Sequence, residues 1–290
     1  SETTIDHEAS KQIKEEQPKG KWVGFEIYTD RNHLAFKEVG ELWENKTNFI
    51  GFVSNLNNLP FYRAMGFTLT YVLAVTPFVI LLGLIIALAV NSLHRHLKGL
   101  MVFFSLLPMI VTPLVGSLIL FWMIDARGII GSGLQELFSD PTLSLKASTG
   151  LTWITLIVYG VWHSAPFAFI VFYAGLQTVP KETLESAMID GATRFQQIIH
   201  VVVPHLSPLV AFVALIQLMD NFRVFEPIIG FSAQANATSL SWIIYNDLRG
   251  GEIQYFSSAS ASSMLTIIGV GFLLVPILVR TWRDFNSKTV

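Results

Sequence analysis

Four stretches of this 290-residue chain are almost free of charge. Ala64 to Leu93 has none over 30 residues, Gly99 to Ile124 none over 26, and Ile253 to Val279 none over 27. Ala147 to Pro180 contains only His163. About 20 apolar residues, rising 1.5 Å each, cross a bilayer core of about 30 Å. Membrane helices are therefore expected near 67–91, 100–124, 151–176 and 257–280, with a weaker fifth span near 206–230. Composition agrees: 14% of residues are charged, against about 25% in a soluble domain, and mean hydropathy is +0.52. A net charge of −2 without a Lys/Arg cluster excludes a basic nucleic-acid binder. The absence of cysteine removes disulfides, thiolate metal sites and cysteine nucleophiles.

Short loops give the orientation, because basic residues stay on the cytoplasmic side. Arg95 and Lys98, Lys181 and Arg194, and Arg280, Arg283 and Lys288 fall on one side if the spans alternate. Arg127, Lys146 and Arg249 fall on the other. Seven against three places the C-terminus in the cytoplasm. Five spans then put residues 1–62 outside, yet no signal peptide precedes them. The expectation is a further N-terminal membrane helix, missing from this chain. Residues 1–20 are polar and charge-mixed, and weak order is expected there. Residues 21–62 scatter aromatic residues without a sustained period, as a packed outer segment or one lying on the membrane.

Several spans carry small or helix-breaking residues. Pro108, Pro113 and Gly116 predict a kinked second span. Gly160 and Ser164, four apart, predict a close helix approach in the third. Ser257 to Ser263 is a run of Ser and Ala, read as a close-packed helix face.

The segment Val179 to Pro208 reads VPKETLESAMIDGATRFQQIIHVVVPHLSP. Thr178 and Pro180 suit a helix start. Leu184, Ala187 and Met188 share one apolar face, Gly191 permits a sharp turn, and Phe195, Ile198 and Ile199 begin a second short helix that Pro204 is expected to stop. Pattern alone allows an amphipathic loop on lipid or a two-helix elbow facing a partner.

This segment resembles the signature loop of permease subunits of binding-protein-dependent ABC importers. That signature is EAA, three residues, Gly, nine residues, then I-x-L-P. Here it reads Glu185-Ser186-Ala187, three residues, Gly191, nine residues, Val201-Val202-Val203-Pro204. Ser186, Val201 and Val203 depart from the signature. Ile189-Asp190-Gly191-Ala192 resembles the carbohydrate-uptake branch, similar to maltose transporter permeases, as do Phe49-Ile50-Gly51-Phe52, Leu107-Pro108 and Asn236 to Leu240. The resemblance implies an all-α membrane protein with a type I ABC importer transmembrane domain, five visible helices and the missing one. It implies an extracytoplasmic segment at 1–62, a permease domain at 63–285 and a coupling elbow at 179–205. It also implies a second, non-identical permease, two ATPase subunits holding ATP and Mg, and an external binding protein, in a bacterial or archaeal cytoplasmic membrane. Glu185 would be a polar contact to the ATPase, with Ser186 beside it, Ala187 and Met188 buried at that interface, and Gly191 the hinge. No GxxxxGK[ST] loop occurs here, so the chain is not itself the ATPase.

LMDNFRVFEP, in the fifth span, carries Asp220, Arg223 and Glu226. At 1.5 Å per residue, Asp220 lies roughly 21 Å into the layer, Arg223 roughly 25 Å and Glu226 roughly 30 Å. Asp or Arg at mid-membrane costs roughly 2.5–3.5 kcal/mol, so such groups face an interior or a water-filled cavity. One reading is a self-neutralising ladder, since both neighbouring pairs are i, i+3. The other is a solute path, with Asp220, Asn221, Arg223 and Glu226 binding hydroxyls and Phe222 and Phe225 stacking on sugar faces. Pro227 is expected to break the helix. His163 reads as a packing or cavity residue, and no metal-ligand or catalytic constellation stands out. The alternative function is an ion-coupled carrier acting alone, with Asp220 and Glu226 as protonation sites. A membrane-embedded enzyme lacks a catalytic set.

Overall fold

The computed structural model describes residues 24–45, 48–249 and 256–286, and all regular structure among them is helical. Residues 1–20, expected to be weakly ordered, lie outside the described residues. Three short helices come first: α1 (Glu26–Thr29), α2 (Phe36–Glu44) and α3 (Phe49–Leu56). Asn48 caps α3, its Oδ1 accepting from the Gly51 N–H at 2.6 Å. This segment is fastened to the bundle. His33 is fully buried, with Nδ1 2.7 Å from Asp30 Oδ1 and Nε2 3.1 Å from the Ser258 carbonyl. The Tyr62 hydroxyl donates to the Leu34 carbonyl at 2.8 Å.

Among the described residues, four helices are long and apolar enough to cross a membrane, and a bent pair makes a fifth span. The long helix α4 (Pro60–Ser92) opens on a proline at its first turn, where no N–H is needed. It packs along α8 (Thr149–Leu176), and both run the same way. Gly160 lies against Tyr71 and Val75, and Gly83 against Ala168 and Phe169. The close approach predicted at Gly160 is therefore present. Phe67, Val75, Val79, Leu156, Tyr159, Phe169 and Phe172 fill this seam. Leu73, Phe78, Leu81, Ile154 and Val158 point outward and give the bundle an apolar exterior.

The span predicted at 100–124 is not one kinked helix. It breaks into α5 (Arg95–Ile110) and α6 (Pro113–Met123), bent by 93°. Pro113 forces its predecessor out of the helical region, and Val111 and Thr112 are both extended. Pro108, by contrast, stays inside α5. The short helix α7 (Ile129–Phe138) then leads towards α8.

Beyond α8 come α9 (Lys181–Ile189) and α10 (Arg194–Gln197). Contrary to the expectation from sequence, Pro204 does not stop the second of these. A π-helical stretch, Ile198–Val202, carries the chain on into α11 (Val203–Phe222), where Pro204 sits in the first turn. The Val203 N–H bonds to the carbonyl of Ile198, five residues back. The extra residue of a π-turn leaves room for a proline that lacks its own N–H. Nor does Pro227 break α11. The helix has already ended at Phe222, and Pro227 lies in the first turn of α12 (Glu226–Gly230), where proline is well tolerated. Last come α13 (Leu240–Arg249) and α14 (Phe256–Asn286). Ala259, Ala261 and Ser262 are buried, as the Ser/Ala run predicted.

Candidate functional site: a cavity between two broken helices, and an exposed elbow

The two interrupted spans meet around a cavity of about 500 Å³. An interruption at membrane depth frees backbone polar groups that neighbours must satisfy. Helix α8 does this here. His163 Nε2 lies 3.1 Å from the Val111 carbonyl, and the Tyr159 hydroxyl donates to the Pro113 carbonyl at 2.8 Å. Gly230 of α12 packs directly on Ser117 of α6, which joins the two half-helices. His163 thus both packs and lines the cavity, as expected from the sequence.

Asp220, Asn221, Arg223 and Glu226 all line this cavity. Arg223 Nη2 and Asp220 Oδ1 are 2.8 Å apart, with both side chains more than half exposed. The next rung of the expected ladder is absent among the described residues: Glu226 is exposed and makes no ion pair. The end of α11 at Phe222 explains this, because Arg223 and Glu226 no longer share one helix. Asn221 is buried and already engaged, donating to Thr76 Oγ1 and Gln217 Oε1, each at 3.3 Å.

Phe222 does not belong to the cavity wall. It is 2% exposed and packs with Phe61, Val72 and Leu218 in a second core cluster, against Gly269. On an α-helix each residue turns by about 100°, so Phe222 lies about 200° from Asp220 and faces away from the cavity. Phe225 packs against Tyr245 instead, the rings tilted and their centroids 4.8 Å apart. Met109 and Phe167 supply apolar wall in their place. Sequence reasoning also missed Gln217 and Thr76. Gln217, one turn before Asn221 within an apolar run, was the signal that could have found the buried amide pair.

The elbow is built by two local devices. At the end of α9 the Gly191 N–H bonds to the Met188 carbonyl and the Ala192 N–H to the Ala187 carbonyl, at 3.1 and 2.9 Å. This Schellman closure puts Gly191 at φ +81, a region that favours glycine. Thr193 then opens α10 with a capping box to Gln196. The expected apolar face divides: Leu184 packs on the core, while Met188 is 57% exposed. Ile189 and Phe195 are more exposed still, and Glu185 and Ser186 are exposed beside them. Ala187 is half-buried at the rim of a notch of about 310 Å³, shared with Asp190, Gly191 and His200. Where the elbow meets the spans, Thr178 Oγ1 and His205 Nε2 lie 3.0 Å apart and tie the end of α8 to the start of α11.

Known proteins resemble this chain in sequence and in fold. The family model described as "Binding-protein-dependent transport system inner membrane component" matches residues 79–284. The multiple sugar-binding transport system permease protein MsmF of Streptococcus mutans is 31% identical over 217 residues, covering 72% of this chain and 73% of its own length. The trehalose transport system permease protein SugA of Mycobacterium tuberculosis is 26% identical over 262 residues, covering 88% and 81%. A chain in the crystal structure of a bacterial ABC transporter that imports the acidic polysaccharide alginate has the same fold. Its TM-score is 0.68 at 22% identity, over 86% of this chain and 88% of that one. The matched residues include both broken spans, the cavity-lining residues of α11 and the elbow, and this multi-pass membrane chain belongs to the family of binding-protein-dependent transport system inner membrane components.

Proposed function

We propose that the chain is one permease subunit of an ATP-driven importer for a sugar or oligosaccharide, and that its cavity is this subunit's part of the solute path. The observation that carries this reading is a polar cavity at membrane depth together with an exposed apolar elbow in the same chain. Asp220, Arg223 and Glu226 offer acceptors and donors suited to a polyhydroxylated solute, and Met109 and Phe167 offer apolar surface. The sugar and trehalose systems of its relatives support that solute class. The elbow, with Met188, Ile189 and Phe195 bare, docks on a separate ATPase subunit that holds ATP and Mg. Glu185, Ser186, Ala187 and Gly191 belong to that contact. A second permease completes the pore, and an external binding protein delivers the solute. One solved relative is an alginate transporter in complex with its oligosaccharide-bound periplasmic protein. The elbow and the C-terminus face the cytoplasm. Family membership leaves a solitary ion-coupled carrier without support.

The test is purification of the complex from its host followed by reconstitution in liposomes. ATP hydrolysis should rise when binding protein and sugar are added together, and labelled sugar should accumulate only with ATP. Uptake by this chain alone, driven by a proton gradient, would sink the proposal.

A further inference from the structure

The helices before the first span leave an apolar face uncovered. Along α3 each side chain advances by about 100°. Phe49, Ile50, Phe52, Val53 and Leu56 therefore share one arc, with Ser54 and Asn55 opposite. Phe52 and Leu56 are half-buried, Phe52 edge-on to Trp43 with centroids 5.4 Å apart. Phe49, Ile50 and Val53 are 73%, 80% and 50% exposed. Helix α2 repeats the pattern: Phe36, Gly40 and Trp43 form an exposed stripe flanked by Lys37 and Glu44. Residues 48–62 carry no charge.

Position decides what covers this face. Residues 57–59 alone separate α3 from α4. Three residues span at most about 11 Å, so α3 stays close to the first turn of α4, a helix that crosses the bilayer. The bonds from His33 to Ser258 and from Tyr62 to Leu34 hold the same segment to the ends of α14 and α4.

We propose that α2 and α3 form an interfacial anchor lying in the plane of the bilayer surface. Phe49, Ile50 and Val53 dip into the upper acyl region, and Phe36 and Trp43 sit at headgroup level. Lipid is favoured over a protein partner because the face lies beside the start of a membrane-crossing helix and residues 48–62 carry no charge to rim a protein contact. Aromatic rings and in-plane apolar faces are also stabilised at this depth. The proposal is independent of which solute the protein carries.

The chain has no cysteine, so a single introduced one is a unique reporter. We would place Ile50→Cys and Asn55→Cys separately in the full chain and label each with a solvent-sensitive fluorophore. Each would be reconstituted in phosphatidylethanolamine–phosphatidylglycerol nanodiscs. Aqueous iodide should quench the Ile50 position several-fold less than the Asn55 position. Lipid carrying a doxyl group near the top of its acyl chain should quench Ile50 preferentially. Equal iodide quenching at both positions would overturn the proposal, and so would equal doxyl quenching. Protection of Ile50 that arises only when the external binding protein is added would overturn it too, and would assign the face to that protein.

Discussion

Arg223 reaches back 2.8 Å to Asp220, while Glu226, three residues ahead, makes no ion pair among the described residues. The end of α11 after Phe222 separates the three charges into one pair and one single carboxylate, all on the cavity. An exposed pair of this kind contributes little to folding, roughly 0.2–1 kcal/mol. A hydrogen bond from a charged group to solute is worth more, about 1.5–3 kcal/mol. Asp220→Asn and Glu226→Gln should therefore leave thermal unfolding almost unchanged and weaken transport by roughly 10- to 100-fold. Uptake kinetics in proteoliposomes, beside melting curves of the same preparations, separate the two effects. A loss of thermal stability in step with the loss of transport would mean that these groups hold the fold instead.

Gly191 sits where a left-handed residue must follow α9. A Cβ there would meet nothing within 4 Å, so any penalty of substitution is conformational, not steric. Gly191→Ala should cost roughly 1–2 kcal/mol locally, and Gly191→Asn less, since asparagine tolerates this region. The elbow would loosen while the spans stay folded. On the proposed docking, recovery of an ATPase subunit with the tagged chain should fall for Ala and largely survive for Asn. Equal recovery with wild type, Ala and Asn would show that the elbow's shape does not govern docking.

Gly83 and Gly99 provide an internal control for packing. A Cβ at Gly83 would lie 2.5 Å from the Ala168 Cβ and 2.9 Å from the backbone nitrogen of Phe169, which cannot swing aside. A Cβ at Gly99 would meet nothing within 4 Å. Gly83→Ala should destabilise by about 1–3 kcal/mol through overpacking. Gly99→Ala should be neutral or gain up to about 1 kcal/mol of helix propensity. Tryptophan-fluorescence melting in detergent reads both, and a Gly83→Ala protein as stable as the parent would refute the close seam between α4 and α8.

How legible this was in the sequence depends on the kind of force involved. Spans were visible because a hydrocarbon layer imposes length and excludes charge: the expected 67–91 and 151–176 lie within α4 and α8. The elbow was visible because Gly191 and its neighbours mark a turn, and because its spacing resembles a known signature. What failed was the effect of proline. Pro113 breaks a span, Pro204 is absorbed by a π-turn and Pro227 begins a helix, where sequence alone predicts a kink or a stop at each. The outcome depends on whether a tertiary partner can satisfy the freed backbone, and His163 and Tyr159 lie about 50 residues from the break they serve. Phe222 was misplaced for a related reason. Proximity in sequence to Asp220 and Arg223 said nothing about which side of α11 its ring would take.

His163 and Tyr159 both bond the backbone at the α5–α6 break, and His163, which lines the cavity, does so at the Val111 carbonyl. If Nε2 donates to that carbonyl, the imidazole must carry its proton on Nε2. His163→Phe keeps a ring of similar bulk but removes the donor, leaving the part-buried Val111 carbonyl without its side-chain partner. That costs about 1–3 kcal/mol. His163→Gln keeps an N–H on a side chain able to approach the same carbonyl. Melting temperature should therefore fall in the order wild type, Gln, Phe. Transport should follow that order, because a relaxed break moves Met109 and Pro113, which line the cavity. If Phe were as stable as wild type but transported nothing, the histidine would be contacting solute instead of supporting the backbone.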